Sequence, residues 1–209
     1  MRPLDFAYAD VKRRIMMNEL KPGEALTELG LARGLGCSQG TIREALFRLQ
    51  EDGLVTRAGR RGTTVTRLDP DEAQEILALR RRIETRGALK AVLSVDDQAL
   101  ARLKALELEM EGAARQDDEA RLTELDISFH QMLFGLSGLE ALEQILTRCM
   151  LHAHRWRLWA PSHRRPLLET ARRHRPITAK LAARDGEGLA EAIGHHIDTI
   201  VTRPKKRIP

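Results

Sequence analysis

Between residues 38 and 53 the apolar positions Ile42, Ala45, Leu46 and Leu49 recur at i, i+3, i+4 and i+7, the stripe that one helix face buries. The opposite face carries Gln39, Thr41, Arg43 and Phe47 or Arg48, and is polar and short-armed near its start. Ser38 suits an N-cap, because its hydroxyl can accept a free backbone N–H of the first turn, and Gly53 suits a helix stop. A shorter helix precedes this one, capped by Thr27, with Leu31, Ala32 and Leu35 inward and Gly36-Cys37 as the tight turn between the two. Before it, Phe6, Tyr8, Val11, Ile15 and Met16 predict a first helix over 4–18, ended by Lys21-Pro22-Gly23. After Gly53 the period changes to two. Leu54-Val55-Thr56-Arg57, a loop at 58–62 and Thr63-Thr64-Val65-Thr66-Arg67 read as a β-hairpin with a basic, Gly-flanked tip. Helix, turn, helix and basic hairpin together predict a winged helix-turn-helix, with 38–49 as its recognition helix.

Beyond Leu68 the pattern is helical throughout. Asp69 or Asp71 can cap a helix over about 71–92, with Pro70 in its first turn and Ile76, Leu79 and Ile83 inward. Further helices are expected at about 96–114, 117–135, 139–160, 166–184 and 187–201. Their inward positions include Leu103 and Met110, Leu122 and Phe129, Ile145 and Leu146, Leu189 and Ile197. Short polar connections between six helices predict an antiparallel bundle. The expected fold class is mainly α: an N-terminal winged helix-turn-helix over 1–68, an all-helical bundle over 69–203, and a basic tail over 204–209.

Composition sharpens this division. Of the formal net charge of +5, residues 1–68 supply +4, with 12 Lys/Arg against 8 Asp/Glu. Concentration of the excess in the first third is what a nucleic-acid-binding module shows. Arg57, Arg60 and Arg61 on the hairpin add a cluster suited to backbone phosphate. Aromatic content of 3% against 42% apolar means aliphatic packing. Cys37 and Cys149 are far apart, give no metal-ligand spacing, and fit a reducing compartment. Cys37 reads as a small apolar turn residue. No apolar run of membrane-spanning length and no signal-peptide pattern occurs, so a cytoplasmic protein with no membrane partner is expected.

The bundle carries the second chemical pattern. Asp126 and His130 stand four apart on one helix, among the inward residues Leu122, Leu125, Phe129 and Leu133. His196 is flanked by Ile193, Ile197 and Ile200, and His174 shares a face with Ala171, Ile177 and Leu181. One inward carboxylate and three inward histidines from three helices can meet on a divalent metal, whereas any one of the histidines alone reads more readily as a hydrogen-bonded core residue. His152 shares a stripe with Cys149, Trp156 and Trp159.

These residues also carry a resemblance. Leu20-Lys21-Pro22-Gly23-Glu24, Leu31-Ala32, Ser38 to Leu46, Asp52-Gly53-Leu54-Val55 and Gly62-Thr63-Thr64-Val65 resemble the DNA-binding domain of the GntR family of bacterial transcription regulators. Gln39, Gly40 and Thr41 stand where that family usually has Arg, Thr and often Pro. The second segment is similar to the ligand-sensing FCD domain of the FadR-like branch, in its smaller VanR-like form. There the Asp-x-x-x-His motif corresponds to Asp126 and His130, and two further histidines 22 residues apart to His174 and His196. The resemblance implies that these four bind zinc, nickel or a similar ion, with a small carboxylic acid beside it. Arg80 matches an Arg that often faces the family's pocket. Departures are Arg173, where the family has Glu, and Leu139, where it has Asn; Pro176, two residues past His174, can break the helix there.

The leading expectation is a homodimeric transcription regulator, not an enzyme, that binds a near-palindromic double-stranded DNA operator. Ser38, Gln39, Gly40, Thr41, Arg43, Arg57, Arg60, Arg61 and Gly62 would meet DNA. Asp126, His130, His174 and His196 would hold the metal, and Arg80, His152, Trp156 and Trp159 would receive an organic, amino or sugar acid effector. The alternative from another class is a metal-dependent hydrolase or lyase built on the bundle. A third reading gives the bundle a structural metal or none, and dimerisation alone.

Overall fold

A computed structural model of the chain describes residues 2–57, 62–159 and 165–200. Among the described residues there are three short strands and ten α-helices. They divide into two compact units, residues 1–74 with 150–159 and residues 75–149 with 160–209.

The first unit begins with α1 (Pro3–Met16), which opens on Pro3 and buries Ala7, Val11, Ile15 and Met16. α2 (Glu28–Leu35) and α3 (Gln39–Glu51) form the helix-turn-helix. Thr27 caps α2 by accepting the Gly30 N–H, and Ser38 caps α3 by accepting the Thr41 N–H, each at 3.1 Å. The turn needs Gly36, whose φ of 64° ends α2 in the left-handed region that a Cβ would disfavour. Ile42, Ala45, Leu46 and Leu49 are all buried, as their stripe predicts. α1 is held against α3 by Tyr8, whose hydroxyl donates to Asp52, and by an Arg48–Asp5 pair at 3.2 Å.

The predicted hairpin is present, with β2 (Val55–Arg57) antiparallel to β3 (Thr63–Val65) and Val55 opposite Val65. It belongs to a three-stranded sheet of order β1-β3-β2, because β1 (Ala25–Leu26) pairs with the far edge of β3. Two residues are too few to show alternation, so β1 left no signal. Arg60 and Arg61 lie outside the described residues.

The rest of the described chain is helical. α4 (Pro70–Ser94), α5 (Asp97–Arg115), α6 (Glu119–Gly135) and α7 (Glu143–Trp159, after a 3-10 turn at Glu140–Leu142) follow the expected order. α4 begins and α7 ends within the first unit, and the other helices belong to the second. Asp96 and Asp118 cap α5 and α6 through the Ala99 and Arg121 N–H groups. The single helix expected over 166–184 is two, α8 (Leu167–Arg172) and α9 (Arg175–Ala182). Pro176 causes the break: it has no N–H to donate, and its ring would meet the carbonyl four residues back. α10 (Gly186–Asp198) closes the unit, capped by Asp185 through the Gly188 N–H at 2.8 Å. The core is aliphatic, built from Leu103, Met110, Leu122, Leu133, Leu181, Leu189 and Ile193 around Phe129. Leu79 and Ile145, expected inward, are exposed, and Ile76 is half-buried. On α4 Ile83 is buried as expected, but other inward positions are taken by Arg80, Glu84, Gly87 and Ala88, so part of its stripe is charged and escapes a reading based on apolar residues.

Candidate functional site

In the first unit, Ser38, Gln39, Gly40, Arg43 and Gly62 are exposed and Thr41 half-exposed, so the start of α3 is open to a partner. Arg43 is held by Glu28 of α2. Its Nε lies 3.0 Å and its Nη2 2.8 Å from the same carboxylate oxygen, Oε2. The Arg57 guanidinium stands 3.6 Å from the other oxygen and 4.0 Å from the Phe47 ring centroid. Glu28 therefore orients both arginines, and the Arg43 hydrogen bond holds its carboxyl below the usual carboxylate range. Reading residues singly missed Glu28, because an acidic residue is not sought on a surface meant for DNA.

In the second unit, α6, the α8–α9 break and α10 bring Asp126, His130, His174 and His196 together. One ligand atom from each lies within 4.8 Å of every other, and all four residues are buried. His174 Nε2 is 3.1 Å from Asp126 Oδ1, and His130 Nε2 is 3.3 Å from His196 Nε2. Phe129 sets its ring edge-on to His130 and His174, at centroid distances of 5.5 and 4.8 Å. The break at Pro176 is what places His174. It leaves this residue at the start of α9, with Nδ1 3.0 Å from the Ala171 carbonyl. Arg173 donates to the His196 carbonyl and to Thr199, tying α10 to the same junction. Glu111 of α5 pairs with Arg175 and, at 3.7 Å, with Arg172, securing both sides of the break.

The donor set fits a divalent cation. A carbonyl accepts only, so His174 Nδ1 carries the proton and Nε2 offers its lone pair toward Asp126. Glu84 Oε2 lies 2.5 Å from His130 Nδ1, so the same holds there and His130 Nε2 faces His196 as a lone pair. Burial, then the neighbouring His174 and His130, holds His196 well below its ordinary pKa, which favours the unprotonated form that can bind a cation. Unprotonated ring nitrogens converging beside a carboxylate repel one another until a cation lies between them. His130 and His174 already have the outer hydrogen bonds that orient metal-bound imidazoles.

Arg80 lies one turn before Glu84 on α4 and is fully buried. Its Nε donates to Glu84 Oε1 at 2.5 Å, whereas Nη1 and Nη2 have no hydrogen-bond partner among the described residues. An Arg80–Glu84 pair at this spacing would ordinarily be a surface feature of little consequence. Here it is buried against the histidine cluster. Burial pushes the Glu84 carboxyl up, but Arg80 and His130 outweigh this and hold it at about 2.

His152 and Trp159 gather around Arg155 in the first unit. The Arg155 guanidinium lies 4.3 Å from the Trp159 ring centroid and 3.3 Å from His152 Nδ1, and donates to the Thr66 carbonyl at 2.6 Å. Trp156 is half-buried on the same helix. Arg80 belongs to the other unit, so the four expected effector residues are divided between the two. Arg155 was not expected; a charged residue just before a tryptophan reads as solvated until its burial is seen.

Known proteins place this architecture. Residues 3–65 match the gntR family of bacterial regulatory proteins, and residues 75–199 match the FCD domain. The chain is 26% identical over 194 residues to the HTH-type transcriptional regulator YdhC of Bacillus subtilis, covering 91% of this chain and 86% of that one. It is 24% identical over 193 residues to the HTH-type transcriptional repressor RspR of Escherichia coli, covering 92% and 85%. Among solved structures it resembles E. coli McbR/YncC with a TM-score of 0.77 at 22% identity, over 95% of each chain. These relatives are transcription regulators, and the hydrolase or lyase alternative finds no counterpart among them. No helix among the described residues is long and apolar enough to cross a membrane. An N-terminal gntR domain followed by an FCD domain defines the assignment: the chain belongs to the GntR family of bacterial transcription regulators.

Proposed function

We propose that the protein is a homodimeric, operator-binding regulator whose bundle holds one divalent ion and senses a small carboxylic acid. Asp126, His130, His174 and His196 would hold the ion, zinc or nickel by their imidazole-rich chemistry. When bound, the ion would supply a Lewis-acid anchor for an oxygen of the acid. The observation that carries the effector half is Arg80. A fully buried guanidinium with two unsatisfied Nη groups costs free energy, and a carboxylate is the group whose geometry matches them in pairs. Its Nε is already occupied by Glu84, which leaves the Nη edge for the ligand. The reading rests on Arg80 for effector contact, and a dicarboxylate, amino acid or sugar acid suits it equally.

On DNA, Arg43 is assigned to a guanine, because its fork matches O6 and N7, with Gln39 and Thr41 at neighbouring base edges. Arg57 supplies phosphate contact from the wing, and two copies of the chain would read a near-palindromic site. A sensor must bind its ligand better in one conformer than another, so the acid should change operator affinity and not merely bind. The test is a thermal-shift screen of organic, amino and sugar acids on zinc-loaded protein, followed by operator titration with the best hit. A hit that stabilises wild type, shifts operator affinity and is lost in Arg80→Ala supports the reading. Equal stabilisation of wild type and Arg80→Ala refutes it.

A further inference from the structure

Glu84 is a buried ionisable group outside the proposed metal set. It is 3% exposed, and both its oxygens are committed to residues with proposed roles. Oε1 accepts from Arg80 Nε and Oε2 accepts from His130 Nδ1, each at 2.5 Å. Reaching His130 requires α4 to run close to α6. Gly87, one turn on, provides that approach, because a Cβ there would stand 2.6 Å from the Phe134 ring. The contact is thus built by the helix packing.

We propose that Glu84 is a positioning residue that couples the anion clamp to the metal cluster, an inference that rests on the metal and acid reading above. Its carboxylate fixes His130 in the Nδ1–H form, which directs the Nε2 lone pair into the cluster, and turns the free Nη edge of Arg80 away from itself. Only a carboxylate serves both neighbours, since each presents an N–H and needs an acceptor. A glutamine has one acceptor oxygen and one donor amide. If the oxygen faces Arg80, the amide faces His130 Nδ1 and forces the proton onto Nε2, where it blocks the ligand position. If the oxygen faces His130, Arg80 Nε meets a donor and the clamp turns. Metal and acid should therefore each bind better in the presence of the other, with Glu84 carrying part of that coupling.

The test uses the full chain stripped of metal, as wild type, Glu84→Gln and Glu84→Asp, titrated with zinc alone. Zinc affinity should fall about 10- to 100-fold in Glu84→Gln, the usual effect of losing a carboxylate behind a metal-bound histidine. Nitrogen NMR of the histidines, read without metal, should show His130 as the Nδ1–H tautomer in wild type and moved toward Nε2–H in Glu84→Gln, which a purely structural role would not produce. Glu84→Asp keeps two acceptor oxygens on a shorter arm and should lie between the two; it is the deciding variant if Glu84→Gln does not fold. Zinc affinity and tautomer unchanged in the variants would overturn the assignment of Glu84 while leaving the metal site standing. A wild type that takes up no zinc would overturn both.

Discussion

Arg43 of the recognition helix is held by Glu28 of the preceding helix through two hydrogen bonds to one carboxylate oxygen, at 3.0 and 2.8 Å. The side chain that should read a base is thus oriented before DNA arrives, and less side-chain entropy is lost on binding. Arg43→Ala should cost about 1–3 kcal/mol against the preferred operator and relax selectivity at one base pair, because base-edge contacts carry specificity. Arg57→Ala should weaken all sequences alike and lower the salt dependence of binding, as loss of a phosphate contact does. Fluorescence anisotropy on an operator and its single-base variants, at several salt concentrations, separates the two. Unchanged selectivity in Arg43→Ala would contradict the assignment.

Gly87 is a helix-interior glycine where alanine would ordinarily be more stable by about 1 kcal/mol. Its missing Cβ is where α4 meets the Phe134 ring, and overpacking at such a contact typically costs about 1–3 kcal/mol. Gly87→Ala should therefore destabilise the protein by about 1 kcal/mol net, against its helix propensity, by pushing Phe134 aside. Denaturant melts check the sign. A stabilised variant would show that the ring moves freely and that the close approach is incidental.

Asp185 caps α10, the helix that carries His196, and pairs with Lys180 at 2.7 Å. The Lys180 hydrogen bond, followed by that of the Gly188 N–H, holds its carboxyl below the usual value. A lowered folded-state pKa stabilises the fold above the unfolded value, near 3.9, and this contribution is lost as pH falls through the folded value. Asp185→Ala should be less stable than wild type at neutral pH, as cap removal makes it, and the gap should close in acid. A gap that is constant from neutral pH to below 3 would place the effect elsewhere.

Much of the architecture was legible because local chemistry and tertiary packing agree. Thr27 and Ser38 are caps in sequence and in structure, and the stripe from Ile42 to Leu49 is buried as written. Asp126 and His130 were legible through four-residue spacing, and the structure gathers both histidines of the 22-residue pair with them. What escaped notice depends on distant partners. Leu79 and Ile145 are apolar yet exposed, while Arg80 and Glu84 are charged yet buried, Glu84 where α4 meets His130 of α6. The Glu84 role required knowing which residue lies 46 positions away, and β1 required knowing which edge of β3 was open. The break between α8 and α9 was signalled by Pro176; its consequence, the placement of His174 toward Asp126, was not.

Asp126, His130, His174 and His196 are proposed to form one metal site in each chain. Isothermal titration of zinc into the metal-stripped full chain, beside an Asp126→Ala, His196→Ala double variant, tests it most directly. Wild type should take up one zinc per chain and melt at a higher temperature when loaded, and the double variant should do neither. No uptake by wild type, or equal uptake by the double variant, would contradict it.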